Sequence, residues 1–318
     1  MTRDSPLIIT LIVALGSAVL LARWADAHRP TDQAQTNAEQ LYLNGSAAKR
    51  FSLAFNGLAA DWYWMRSLQY VGGKIVSYED SHAGHFDLQN LSSIDLRLLP
   101  SLLRMATTLD PQFIPVYEYG AVILPEIDSN EAITLLNSGI ASNPSSWRLY
   151  QHLGYIYWQR QEYERASDAY AAGARVMGAP AWMMAMAARM KAEGGSRKAA
   201  GDMYQHLYDS SGDESVKKMV ESQLSRLDSL DERDVIRDIL IAFKVRNGRC
   251  VRSWREVHDE LAAAEIELRP LTEEDSVRSY HKFHFDANAA PFDPSWTAYR
   301  FTNGGCDVDL DPSSKVPR

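Results

Sequence analysis

The chain has 318 residues, of which 46% are hydrophobic and 23% charged. That is an ordinary globular composition, long enough for one elongated domain or two compact ones. The formal net charge of −8 excludes non-specific nucleic-acid binding, which needs a basic surface, so no nucleic-acid partner is expected.

The first element is apolar. Pro6 to Ala22, "PLIITLIVALGSAVLLA", carries no charge and is closed by Arg23 and Trp24. Residues 1–25 therefore read as a transmembrane anchor or a signal segment. The run sits near the lower limit of about 17 residues for a membrane-spanning helix. Ala25-Asp26-Ala27 has the small-x-small pattern of a cleavage site. The anchor is preferred, because the run exceeds the roughly 7–15 apolar residues of a signal peptide. Both readings send the rest of the chain across a membrane; the opposite orientation, with a cytoplasmic body, rests on Arg23 and Arg29. Polar, alanine-rich residues 26–50 read as a linker.

Residues 51–247 are helical in pattern nearly throughout. "GLAADWYWMRSLQYVGG" and "LRLLPSLLRMATTLDP" predict two helices separated by a polar insertion, "KIVSYEDSHAGHFDLQNLSSID". A 34-residue step then governs the small residues: Gly120, Gly154 and Ala188; Ala132, Ala166 and Ala200; Leu136, Tyr170 and Tyr204; and Gly139 with Gly173. Three copies follow, 113–146, 147–180 and 181–214. Ser215–Asn247 predicts two more helices, "VKKMVESQLSRLDS" and "ERDVIRDILIAFKV", without the repeated columns.

This pattern resembles the tetratricopeptide repeat, whose period is 34 residues. In the middle copy Leu153-Gly154, Tyr157, Ala166 and Tyr170 occupy the family's signature positions, and Pro144 closes the first copy as proline does in the family. The resemblance implies a mainly α fold: helical hairpins stacked into a solenoid over 51–247, each unable to bury its face alone, with the last two helices capping it. With its anchor and first helix, the chain is also similar to bacterial membrane-anchored proteins of this family.

After Gly248 the texture changes to a small α+β unit, 248–318. It has a short helix near 253–264 and a hairpin, "TAYRFT-NGG-CDVDL", with alternation on both sides of the turn. Both cysteines, Cys250 and Cys306, fall here. In an oxidising compartment they would form one disulfide; otherwise they are two unrelated buried thiols.

The resemblance also implies a groove lined by the first helix of each repeat. Its positions are Ile114, Tyr117, Ala121 and Leu124; Arg148, Gln151, Tyr155 and Trp158; and Trp182, Ala185, Arg189 and Ala192. Of these, Tyr117, Arg148, Gln151, Tyr155, Trp158, Trp182 and Arg189 are candidate partner contacts, aromatic and arginine side chains being suited to holding a peptide or helix. The opposing reading buries Tyr155, Trp158 and Trp182 against the C-terminal unit.

Catalytic constellations are absent: there is no Gly-x-Ser-x-Gly, no phosphate-binding loop and no dinucleotide fingerprint. His82 with His85, and His281 with His284, have the i,i+3 spacing of metal ligands but lie outside convincing helices. Asp307 to Pro312, "DVDLDP", lacks the glycine and closing glutamate of a calcium loop. No metal, cofactor or enzymatic activity is expected. The expectation is a non-enzymatic scaffold or assembly subunit of a bacterial cell-envelope complex, single-pass in the inner membrane with its body in the periplasm, binding protein partners. The alternative is a periplasmic glycan- or cofactor-handling factor that uses Trp296, Tyr299 and the histidines of "YHKFHF" in the C-terminal unit.

Overall fold

The computed structural model describes residues 55–82, 86–87, 91–267 and 280–318, together with Gly16, Ser17, Leu20, Arg23 and Trp24. Apart from those five positions the anchor or signal segment 1–25 lies outside the described residues, as do the linker 26–50, His85 and residues 268–279. Among the described residues no helix is long and apolar enough to cross a membrane. The described chain is mainly helical, with two small antiparallel sheets of two strands each. It divides into two units, Met1–Gly73 with Leu96–Asp110, and Lys74–Asp95 with Pro111–Arg318.

Helix α1 (Asn56–Ser81), whose residues up to Gly73 belong to the first unit, places Leu58, Trp62 and Met65 on one exposed face. The helix runs on past Gly73 through the first eight residues of the expected insertion, none of which is glycine or proline. α2 (Leu99–Leu109) takes Pro100 in its first turn, where the missing N–H costs no hydrogen bond. It buries Leu99, Leu102, Leu103, Ala106 and Leu109, a stripe at helical spacing.

The second unit carries three helical pairs: α3 (Ile114–Ile123) with α4 (Pro125–Ser142), α5 (Trp147–Gln159) with α6 (Tyr163–Ala174), and α7 (Trp182–Glu193) with α8 (Arg197–Ser210). In α4 the backbone is extended at Asp128, whose carboxylate accepts the Asn130 N–H at 2.8 Å and caps the helix that follows. The second helices therefore begin at 129, 163 and 197, in steps of 34 (163 − 129, 197 − 163). The turns before α6 and α8 repeat as well: Gln161 and Gly195, 34 residues apart, both take positive φ, 59° and 86°.

Every column read from the 34-residue step is buried: Gly120, Gly154 and Ala188; Ala132, Ala166 and Ala200; Leu136, Tyr170 and Tyr204; Gly139 and Gly173. The reason is contact distance. A Cβ on Gly154 would sit 2.8 Å from the Tyr170 ring, and one on Gly139 would sit 2.7 Å from the Tyr117 ring. One on Gly173 would meet Met183 of the next pair. The small residues are where an aromatic ring of the paired helix, or a side chain of the next pair, lies against backbone. Burial pushes the Tyr170 hydroxyl up to about 12, as suits a packing residue.

Where two capping helices were expected there is one, α9 (Glu214–Asn247), 34 residues long and about 51 Å from end to end. The polar stretch Ser229 to Glu232 looks like a helix start, having Ser and Glu three apart. Both side chains are instead buried inside the helix, where the Tyr299 hydroxyl donates to Glu232 Oε2 at 2.7 Å and meets Ser229 Oγ at 2.9 Å. The first half of α9 closes the last pair: Val220, Leu224 and Leu227 join Ala188, Ala200, Tyr204 and Leu207 in one core. Asp213 caps its start by accepting from Ser215 N–H at 2.8 Å. Gly248, with φ 68°, ends it in the left-handed conformation.

The core of residues 248–318 does not stop at 248. Ile236, Leu240 and Phe243 of α9 pack with Val251, Trp254, Val257, Leu261, Phe283, Tyr299, Val308 and Leu310. A segment of some seventy residues has little apolar area of its own, and it borrows a helix face to complete a core. The short helix α10 (His258–Ala263), β1 (Ile266–Glu267) paired with β2 (Tyr280–His281), and the hairpin of β3 (Arg300–Thr302) and β4 (Asp307–Asp309) complete the unit. The expected hairpin is present, with Phe301 opposite Val308 and Thr302 opposite Asp307, so that Cys306 joins Asn303–Gly305 in the turn. Gly305 has φ 85°, and a Cβ there would collide with the Val251 carbonyl oxygen. Cys250 and Cys306 lie at disulfide distance, Cα–Cα 4.9 Å. Two of the three carboxylates of "DVDLDP" are met by protein cations: Arg237 donates to Asp307 at 2.8 Å and Arg233 to Asp309 at 3.0 Å, while Asp311 accepts from Ser313. The bond from Arg237 holds the Asp307 carboxyl below its usual range.

The buried Tyr299 contact predicts a measurable cost. Burial and the Glu232 carboxylate push the hydroxyl well above its ordinary value, so it stays protonated and donates. Tyr299→Phe leaves Glu232 without this donor and is expected to lower stability by about 1.5–3 kcal/mol, the range for a hydrogen bond to a charged group. Urea unfolding checks it: an unchanged midpoint would show that the contact contributes nothing.

Candidate functional site

Two surfaces concentrate chemistry in the second unit. The first lies on the repeat-like helices. Helix α5 buries Leu149, Leu153, Gly154 and Ile156, which turns Arg148, Tyr155 and Trp158 outward. Tyr155 is 45% exposed, Trp158 36% and Trp182 40%, which excludes their burial against the C-terminal unit. Tyr155 and Trp158 lie together with ring centroids 5.6 Å apart, and Gln159 donates to the Tyr155 hydroxyl at 3.2 Å. Trp182 meets Trp147 edge-on at 5.9 Å, with the Arg148 guanidinium 5.1 Å over the Trp147 ring. Gln151 is half-buried beside His152. Burial lowers the His152 imidazole below its ordinary value, while Glu118 of α3 opposes the shift.

Two of the seven candidate contacts are placed otherwise. Tyr117 is 1% exposed; its ring fills the space over Gly139 and its hydroxyl donates to the Pro111 carbonyl at 3.2 Å. It packs the first pair and offers nothing to a partner. Arg189 is half-buried and faces Glu193 at 3.6 Å, which Arg226 of α9 also contacts at 3.2 Å, so its charge serves the junction of α7 with α9. Trp147 was missed by the groove positions. Its signal was its place at the start of the middle copy, next to Arg148.

The second surface is a cavity of about 180 Å³ between α9 and the loops of the C-terminal unit, lined by Asp228, Glu232, Phe283, His284, Phe292, Asp293, Pro294 and Trp296. The sequence "DPSWT" builds its rim. Buried Asp293 accepts from Ser295 N–H at 2.8 Å and Thr297 N–H at 3.0 Å through one oxygen, and from Ser314 Oγ through the other. That turn holds Trp296 at φ 62° and 67% exposed. The Trp296 ring stacks on His284 at 5.1 Å and lies 6.0 Å from Phe292. Of the residues singled out for the C-terminal alternative, Trp296 and His284 thus meet at one cavity, while Tyr299 lies buried behind Glu232. Near the other histidine spacing, His82 stacks on Tyr78 at 4.1 Å. Among the described residues no group of three or more His, Cys, Asp or Glu is placed to hold a metal ion. Compared with protein-family models and with curated proteins, the chain matches none.

Proposed function

We propose that this chain is a tetratricopeptide-like solenoid with a small α+β C-terminal unit, held in a bacterial inner membrane by residues 1–25, with its body in the periplasm. There it serves as a non-enzymatic scaffold or assembly subunit of an envelope complex. The observation that carries the reading is the outward pairing of Tyr155 with Trp158 and of Trp182 with Trp147 and Arg148. Large aromatic rings left half in solvent beside a guanidinium are the side chains that dominate protein-binding energetics. The 34-residue periodicity of buried small residues, turns and helix starts supports the repeat assignment. The exposed face of Leu58, Trp62 and Met65 on α1 offers a further apolar contact.

The alternative, a periplasmic glycan- or cofactor-handling factor, draws on one specific observation, the acidic and aromatic cavity. At about 180 Å³ it falls below the roughly 300 Å³ from which pockets for cofactors and drug-sized ligands begin, so the scaffold reading is favoured. Its test is co-purification of the full chain from native membranes in detergent. The parent should bring down a stoichiometric partner. The double variant Trp158→Ala, Trp182→Ala should bind it about a thousandfold more weakly and recover little of it, each anchor contributing about 2 kcal/mol, with its unfolding midpoint unchanged. No stoichiometric partner with the parent would overturn the proposal.

A further inference from the structure

We propose that the junction of α5, α6 and α7 docks an acidic segment of a partner protein, with a carboxylate side chain set beside an apolar one. The proposal rests on the scaffold reading and names the partner's chemistry. The junction centres on Gly173, near the end of α6. A Cβ there would lie 2.8 Å from the Tyr150 Cβ and 3.5 Å from the Trp147 carbonyl oxygen of α5, and would meet Met183 of α7. Arg148, Arg175 and Trp182 each stand within two residues of one of these contacts, and all three are exposed. The sign of charge comes from unbroken runs of described residues. No Asp or Glu occurs between Glu131 and Glu162, 30 residues (162 − 131 − 1), nor between Asp168 and Glu193, 24 residues (193 − 168 − 1), in a chain that carries 41 of them. Helix α5, the end of α6 and all but the last residue of α7 fall inside those runs. Among the described residues neither Arg148 nor Arg175 is paired with a carboxylate; Arg148 lies 5.1 Å over the Trp147 ring. The next carboxylates at this end of the helical pairs, Asp209 and Asp213, belong to the α8–α9 turn, where they accept from Gln205 and Ser215.

A guanidinium held over an indole face keeps N–H groups at its edge, a planar fork that matches a carboxylate. The apolar half of the junction is Trp147 and Trp182, edge-on at 5.9 Å, with Met177 of the α6–α7 loop 96% exposed and adaptable in shape. Both arginines repel a cation. An extended polyanion, whether nucleic acid or an anionic bilayer, meets the field of a chain with a formal net charge of −8. A short acidic segment engages only the charges within a Debye length, about 8–10 Å. A carboxylate next to an apolar side chain therefore satisfies both halves of the junction.

The test uses the full chain in detergent, labelled with 5-fluorotryptophan. The Trp147 and Trp182 fluorine resonances are assigned by their loss in Trp147→Phe and Trp182→Phe. Three capped peptides are titrated: acetyl-Asp-Glu-Leu-Phe-Glu-amide, its uncharged counterpart acetyl-Asn-Gln-Leu-Phe-Gln-amide, and acetyl-Asp-Glu-Ala-Ala-Glu-amide. The soluble lipid dihexanoylphosphatidylglycerol is a fourth probe. The first peptide should displace both resonances saturably, with each of the other two about tenfold weaker, as befits the loss of one charged pair or one apolar anchor. Arg148→Gln, at an exposed position, should weaken the first peptide about tenfold and leave the uncharged one unchanged. Equal binding of the charged and uncharged peptides, no saturable response, an Arg148→Gln variant that binds as the parent does, or tighter binding of the lipid would each overturn the proposal. The peptide comparison needs no variant, so it stands whatever Arg148→Gln does to folding. Where the parent still brings down its partner from native membranes, such a result removes this inference alone; where it brings down none, the scaffold reading falls and this inference with it.

Discussion

Replacing Cys250 and Cys306 together by serine is expected to lower the stability of the oxidised protein by about 4 kcal/mol, the chain-entropy value for a loop of this length. The two residues are 56 apart in sequence. One lies just past the glycine that ends α9, the other at the end of the hairpin turn. With the link cut, the hairpin is held by Arg233 and Arg237 on its carboxylates, by the stack of Phe301 on Trp254 at 3.8 Å, and by the core it shares with α9. These ion pairs are only partly buried, and pairs in reach of solvent contribute little, about 0–1 kcal/mol each. The hairpin and the following residues 307–316 should therefore exchange amide hydrogens far faster than the α5–α6 pair. Urea denaturation with and without reductant gives the magnitude, and mass mapping of non-reduced peptides from the native host gives the bond itself. Two free thiols there, or equal midpoints in both conditions, would refute the expectation and leave a cytoplasmic body a serious contender.

Gly154→Leu is expected to cost about 3 kcal/mol or more, the upper end for an overpacked core. A Cβ at that position already comes within 2.8 Å of the Tyr170 ring, and leucine adds three further carbons behind it. Tyr170 cannot swing aside, because it is buried with Ala166, Met183, Ala187 and Met190 of its own and the next pair. The disturbance should pass to neighbouring pairs, as stacked repeats are coupled through their interfaces. Gly212→Leu, at an exposed glycine with no positive φ and no atom near its Cβ, is the control that adds a leucine without overpacking. Thermal unfolding of Gly154→Leu at the parent's temperature would show that α5 and α6 do not meet at this point.

What was legible in the sequence was whatever local packing forces to repeat. Gly154, Ala166 and Tyr170 recur at 34 residues because each helical pair solves the same contact problem, so small and large residues fall in fixed columns. The hairpin was legible because alternation and an Asn-Gly turn are short-range signals. The single α9 was not: Ser229 and Glu232 have the composition of a helix start, and only the distant Tyr299 explains why polar groups are buried in mid-helix. Tyr117 was misplaced by family position, since the groove pattern says nothing about the ring's fit over Gly139. The cavity was the least legible. Trp296 and His284 could be singled out, but Asp228 and Glu232 lie more than fifty residues before them (284 − 232 = 52), and no spacing rule spans that distance.

The continuity of α9 has a consequence for synthesis. The alanine-rich inner face of α7 and α8 packs against Val220, Leu224 and Leu227 of α9, and the far half of the same rod packs against side chains spread from Val251 to Val316. From Phe243 to Val316 is 73 residues (316 − 243), which takes about 4–15 s to polymerise at 5–20 residues per second. During that interval the far half of α9 gains its cover piece by piece, so the core it shares with residues 248–318 is complete only when the last of them has been made.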